Sequence, residues 1–213
     1  MELIYIQLGK NFPSYLNDSI ENSYSMNPNL KIYVAVNSNN LDKLENVISI
    51  DIDQIEKSDK YIYFLKNNKM RKSRNGFWIY TIERFFVLYE IMKKYNLKNI
   101  FHIESDNLIY CDLGEIKSKL LKFDKMCYPI DSDNRGIGSF MFINNINSLS
   151  ILLDFINQHL DNKNNDMEIL SNFYNLHKDI VCNLPIIFPE YKLPLKNMKN
   201  QRAKNPEIYY NKI

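Results

Sequence analysis

Between residues 3 and 106, short apolar runs alternate with segments of helical spacing, and this alternation constrains the fold more than any other feature. "LIYIQLG" (3–9) reads as a buried strand ended by Gly9, with Pro13 placed where a helix can begin. "PSYLNDSIENSY" (13–24) is helical, "LKIYVAVN" (30–37) a second strand, "LDKLEN" (41–46) a short helix and "VISIDI" (47–52) a third strand. Strands that alternate with helices build a mostly parallel sheet flanked by helices, and such sheets bind ligands at the carboxyl ends of their strands. The prediction is an α/β fold in a single domain. By the same rule Gln7, Leu8, Gly9, Asn37, Asp51–Asp53 and Glu104–Asp106 all fall on one edge of the sheet.

The strongest helix is "SRNGFWIYTIERFFVLYEIMKKYNLK" (73–98), where Trp78, Ile82, Phe85, Tyr89 and Met92 form one apolar stripe. Phe77, Phe86, Val87, Leu88 and Ile91 widen the apolar surface, so the helix should be buried on most sides. Arg84 lies among these residues, and a buried guanidinium needs an anionic partner. Glu83 points elsewhere on the helix. The partner is expected from the next strand, "NIFHI", which delivers Glu104 and Asp106, or from an anion bound between them and Arg84.

Further on, "EIKSKLLKFD" (115–124) reads as a helix, "KMCYPI" (125–130) and "SFMFIN" (139–144) as strands, and "SLSILLDFINQHL" (148–160) and "DMEILSNFYNLH" (166–177) as helices. No internal repeat is visible, and no boundary precedes about residue 190. Residues 1–190 are therefore read as one domain and 191–213 as an irregular basic tail carrying Lys192, Lys196, Lys199, Arg202 and Lys204. The 213 residues suffice for one core, and 45% hydrophobic with 24% charged residues is a globular composition. A net charge of +2 creates no field that favours nucleic acid. Cys111, Cys127 and Cys182 are odd in number and widely spaced, which suggests neither a disulfide framework nor a zinc site and favours a reducing compartment. "MELIYIQLGK" is not a signal peptide and no apolar run is long enough to span a membrane, so a cytoplasmic protein is expected.

Three acid pairs of spacing i, i+2 compete as cation sites: Asp51/Asp53, Glu104/Asp106 and Asp131/Asp133. Along an extended strand such residues face the same way, about 7 Å apart, close enough to share one cation. Glu104/Asp106 is preferred because the arginine-bearing helix precedes it and the apolar "NLIYCDL" pins the following turn. Asp51/Asp53 suits a base or ribose contact, and Asp131/Asp133 sits in "DSDNRGIG", where turn formers are expected anyway. "GIGS" (136–139) is either a tight turn or, at Gly138, a close backbone approach to a phosphate or sugar ring. "NDME" (165–168) fits a capping box on Asn165 and Glu168, while Asp166 or Glu168 could also act as a general base. His177 could ligate a metal, although a histidine at a helix C-terminus has a sufficient electrostatic reason to be there.

The combination of "TIERFFVLYEIMKKYNLKNIFHIESDNLIY", "GIGSFMFIN" and "NDMEIL", over roughly residues 75 to 175, resembles glycosyltransferases of the GT-A fold, a Rossmann-like architecture. In that family a helix with a donor-binding arginine leads into a strand that ends in a D-x-D motif. Within that family the chain is similar to glycosyltransferase domains of large DNA viruses and protists. The resemblance implies a nucleotide-sugar donor, usually UDP-linked, Mn²⁺ or Mg²⁺, and a glycan or protein acceptor hydroxyl. It assigns Glu104, Ser105 and Asp106 to the motif, Arg84 to the donor, and Asp166 or Glu168 to the base. The motif departs from the family in reading Glu-Ser-Asp, which makes Asp106 the surer metal ligand. Chains of this kind continue into an F-D-x-A-x-x-G-Q-Y stretch where this one ends at "IYYNKI", so a chain cut short of its acceptor-side residues is expected. A metal-dependent phosphodiesterase or nuclease, and a binding module without turnover, are the alternatives that the residues leave open.

Overall fold

The computed structural model describes residues 1–69, 77–160 and 164–184. The apolar runs become β1 (Glu2–Gln7), β2 (Lys31–Val36), β3 (Ile48–Asp51) and β4 (Ile100–Ile103), all mutually parallel. They are joined by α1 (Tyr15–Met26), α2 (Asp59–Asn67) and α3 (Phe77–Lys94). Side chains alternate across these strands. Leu3, Tyr5, Ile32 and Val34 belong to one apolar layer with Leu16 and Ile20 of α1. Ile4, Ile6, Tyr33 and Ala35 belong to the other, with Ile82, Phe85, Phe86 and Leu88 of α3. Burial on both faces explains why the runs read as continuously apolar rather than alternating.

The second half completes the sheet with α4 (Leu113–Leu120), β5 (Met126–Tyr128), β6 (Ile130–Ser132), β7 (Arg135–Gly136), β8 (Phe140–Ile143), α5 (Ile146–Gln158), α6 (Asp166–Leu176) and β9 (Val181–Asn183). The strand order is β3-β2-β1-β4-β8-β5-β9. β8 runs antiparallel to both β4 and β5, so the sheet is mostly parallel, as the alternation predicts. α4 packs with α1, while α2, α5 and α6 share the α3 face.

Several elements differ from the sequence reading. "KMCYPI" is divided at Pro129, which has no N–H for a ladder, and Ile130 starts a separate hairpin, β6–β7, in "DSDNRGIG". α2 and β9 were not foreseen. α2 carries an unbroken apolar run, Tyr61 to Leu65, that shows no helical stripe in the sequence, and its first turn is held by the buried Glu90 of α3, whose Oε1 accepts from the Ser58 N–H at 2.9 Å. Residues 73–76 of the expected long helix and the basic tail 191–213 lie outside the described residues.

The cysteine expectation is corrected too. Cys127 of β5 and Cys182 of β9 are register partners on adjacent parallel strands, with Cα atoms 4.9 Å apart, and form a disulfide. Their separation of 55 residues hides this proximity from a reading of spacing alone. Among the described residues no helix is long and apolar enough to cross a membrane.

Candidate active site

β1 stops at Gln7 and the chain turns at Gly9, whose φ of +101° is a conformation that favours glycine. The turn is fastened sideways, because the Gly9 N–H donates to Asn37 Oδ1 at 2.9 Å. Asn37 Nδ2 donates to Asp53 Oδ1 at 2.7 Å, and the Ser38 N–H donates to Asp53 Oδ2 at 2.9 Å. That backbone N–H is the main reason the Asp53 carboxyl sits below its ordinary range. Asp51 accepts from the Ser38 hydroxyl on both oxygens and from the Asp53 N–H. The loop itself thus occupies both carboxylates, while Asp53 also lines a cleft of about 530 Å³. Leu8, Gly9, Lys10, Asn37, Lys57 and Glu83 line it too. Glu83 points away from the Arg84 side, as expected, and accepts the Tyr61 hydroxyl at 2.7 Å.

A second cleft, of about 220 Å³, opens at the ends of β1 and β4 and is lined by Gln7, Leu8, Tyr15, Tyr80, Thr81, Arg84, Glu104, Ser105 and Asp106, among others. Leu8 and Tyr80 belong to both clefts, so the two are contiguous across the sheet edge. β4 ends at Ile103, and Glu104 to Asp106 form a turn rather than extended strand. The same-face argument for the acid pair therefore does not apply, yet the turn still brings both carboxylates to one cleft. It is tightly anchored. Ser139 O accepts from the Glu104 N–H at 2.9 Å and from Asn107 Nδ2 at 3.0 Å. The Ser105 hydroxyl donates to Gln7 Oε1 at 2.8 Å, and Ser19 Oγ donates to the Ser105 carbonyl at 2.7 Å.

Arg84 is 5% exposed and has two anionic partners: Glu104 on Nη1, and Asp166 on Nη2 at 3.0 Å. Burial lowers its pKa to about 10, with Asp166 and Asp106 acting in the opposite direction, so it stays charged at neutral pH. Burial raises the Asp166 carboxyl, and Arg84 opposes that shift. Gly138 makes room for this pair, since a Cβ there would lie 2.7 Å from Arg84 Nη2. Its lack of a side chain thus has a reason inside the protein. Beneath the pair, His102 is fully buried with Nδ1 3.0 Å from the Ile4 carbonyl, and burial with the Arg84 charge takes its pKa down to about 3.

Glu168 completes the capping box, accepting the Asn165 N–H at 3.0 Å while Asn165 Oδ1 accepts the Glu168 N–H at 3.0 Å. It lines neither cleft, whereas Asp166 reaches the site through Arg84. His177 stacks on Phe173 at the end of α6, with ring centroids 4.5 Å apart, and lines neither cleft. No group of three His, Cys, Asp or Glu side chains arranged for a metal exists among the described residues. In the lining of the smaller cleft, among the described residues, the carboxylates of Glu104 and Asp106 offer the hard oxygen donors that suit Mg²⁺ or Mn²⁺. Sequence reasoning missed Tyr80, which lies one helical turn before Arg84 on the same face of α3, a signal that was available.

No family model and no curated protein sequence matches the chain. Solved structures do. Mouse xyloside xylosyltransferase 1 in its apo form superimposes with a TM-score of 0.60 at 12% identity, over 87% of this chain and 86% of that one. The galactosyltransferase LgtC in complex with donor and acceptor sugar analogues gives 0.57 at 13% identity, over 98% and 81%. The PaToxG glycosyltransferase gives 0.56 at 11% identity, over 82% and 68%. The fold is that of the GT-A glycosyltransferases.

Proposed function

We propose that the protein is a metal-dependent glycosyltransferase, which moves a sugar from a nucleotide-diphospho-sugar, UDP-linked in the first instance, to a hydroxyl of a glycan or protein. One observation carries this reading beyond the fold. The smaller cleft is lined by one guanidinium, Arg84, and two carboxylates, Glu104 and Asp106, and a third carboxylate, Asp166, pairs with Arg84 from behind the lining. A diphosphate cannot enter a site of that net charge unless a divalent cation enters with it.

The two contiguous clefts suit a two-part ligand. The nucleoside lies over the ends of β1 and β2, beside Asn37, Asp53 and Lys57, and the diphosphate reaches the Glu104–Asp106 turn. Glu104 and Asp106 would hold Mn²⁺ or Mg²⁺, which when bound neutralises charge on the departing diphosphate. Arg84 orients Glu104 through their ion pair, and Asp166 fixes Arg84 from behind. Asp166 is therefore a positioning residue in this arrangement, and the acceptor hydroxyl approaches from the open side of the cleft.

Calorimetry of UDP binding with and without Mn²⁺ tests the reading. UDP should bind only with the metal, and Asp106→Ala, at an exposed position, should abolish binding while the melting temperature holds. Metal-independent UDP binding, or an Asp106→Ala protein that binds normally, would remove the acid turn from the reaction.

A further inference from the structure

Resting on that reading, we infer that Ser19 of α1 is a positioning residue for the metal: its hydroxyl holds the peptide plane that aims Asp106 into the smaller cleft. Ser19 and Ser23 lie on the face of α1 that is buried with Leu16 and Ile20, and Ser19 is only 1% exposed. The helix alone gives no reason for a hydroxyl there, because alanine suits both a helix and an apolar surface better. A helical serine can return its proton to the carbonyl four residues back. Ser23 does so, donating to the Ser19 carbonyl at 2.8 Å. Ser19 instead gives its one proton to the Ser105 carbonyl, 86 residues further along the chain, at 2.7 Å.

That carbonyl shares its peptide plane with the Asp106 N–H, so the bond fixes how Asp106 leaves the turn. Asp106 is exposed and takes its direction from the backbone, whereas Glu104 is also held by Arg84. The Ser105 hydroxyl is tied to Gln7 of β1, and the Tyr5 hydroxyl, 2.7 Å from Ser23 Oγ, ties β1 back to α1. The turn is thus clamped between strand and helix. The grip continues along α1: Asn22 Oδ1 accepts the Ile109 N–H at 2.6 Å, and Asn27 Oδ1 accepts the Leu113 N–H at 2.8 Å. Asn27 Nδ2 donates to the Cys111 carbonyl at 3.1 Å. Two neighbouring carboxylates repel each other until a cation arrives, and a turn already held in shape is not ordered again when the cation binds. α1 is a template for the chain that follows β4, and Ser19 is its contact inside the acid turn.

The test compares two variants of the full chain. Ser19→Ala removes the bond to the turn, while Ser23→Ala removes bonds within α1 and to β1 but none to the turn. Calorimetry of UDP binding is repeated over a series of Mn²⁺ concentrations, with urea unfolding as the control. Ser19→Ala should raise the Mn²⁺ concentration for half-maximal UDP binding roughly threefold or more, with UDP affinity at saturating Mn²⁺ close to wild type. Ser23→Ala should lose stability too, yet keep the wild-type Mn²⁺ requirement. Amide exchange makes the same comparison without a ligand: the Asn107 N–H, which donates to the Glu104 carbonyl at 3.2 Å, should exchange faster in Ser19→Ala than in Ser23→Ala. An unchanged Mn²⁺ requirement in Ser19→Ala, an equal rise in Ser23→Ala, or equal exchange in the two overturns the inference and leaves the proposed function standing. A wild-type protein that does not bind UDP with Mn²⁺ takes down both.

Discussion

Replacing Gly136 by alanine would put a Cβ 2.6 Å from Leu170 Cβ and 3.0 Å from the backbone of Leu170 and Ser171. Replacing Gly138 would put one 2.7 Å from Arg84 Nη2 and 3.1 Å from Leu170 Cδ1 and Phe85 Cζ. Neither glycine has a positive φ, so backbone strain is not involved, and alanine in a permissive conformation should even stabilise by about 0.4–1 kcal/mol through the unfolded chain. Any loss is therefore steric, and the colliding atoms differ in kind. At position 136 the obstacle is the body of α6, which must back away as a unit. Overpacking of that sort costs roughly 1–3 kcal/mol, or several degrees of melting temperature. At position 138 the nearest obstacle is the far end of a side chain, which can yield by leaving Asp166. Gly138→Ala should therefore lose stability by a different route, the parting of a buried ion pair, and should also lower the affinity for Mn²⁺-UDP, because Glu104 loses its fixed partner. Urea unfolding and calorimetry on both variants would separate the two effects. A Gly138→Ala protein that binds like wild type would show that the Arg84–Asp166 contact does not order the acid turn.

Arg84→Lys keeps the charge but cannot span Glu104 and Asp166, and should weaken Mn²⁺-UDP binding by about 1–3 kcal/mol, read by calorimetry against a melting control. His102 gives a pH dependence. Its folded pKa of about 3 lies below the ordinary 6.5, so the unfolded chain binds the extra proton between those values and stability falls as pH drops from 6.5 towards 3. The slope should approach about 1.4 kcal/mol per pH unit and flatten in His102→Phe, with urea midpoints at pH 4.5 and 6.5 as the check. Reducing the Cys127–Cys182 bond should cost about 2–4 kcal/mol, given its 55-residue separation, and the paired serine variant should show no response to reductant in the same unfolding assay.

The parallel half of the fold was readable because its strands are buried on both faces and so present unbroken apolar runs, as in "IYVAV" of β2. The stripe on α3 and the capping box at Asn165 were readable because both are local, set by spacings of three and four residues. Arg84 could be marked as needing a partner, and Glu104 was among those foreseen, but the second partner, Asp166, lies 82 residues away in the chain. The Cys127–Cys182 bond and the role of Gly138 failed for the same reason. Each depends on which strands become neighbours, and nothing within either segment records it. α2 was missed because its place depends on Glu90, which belongs to another helix.

The position of β1 inside the sheet, between β2 and β4, has a consequence for how the chain is made. Of the described strands β1 leaves the ribosome before the others, and β2 can join one of its edges soon afterwards. Its other edge must wait for β4, and the His102–Ile4 contact that joins them spans 98 residues. At synthesis rates of about 5–20 residues per second, that edge stays open for roughly 5–20 s, an interval in which a strand that is apolar on both faces can pair with the wrong partner. A ribosome-bound chain halted before residue 100 should therefore recruit holdase chaperones strongly, and one extended past β8 should release them.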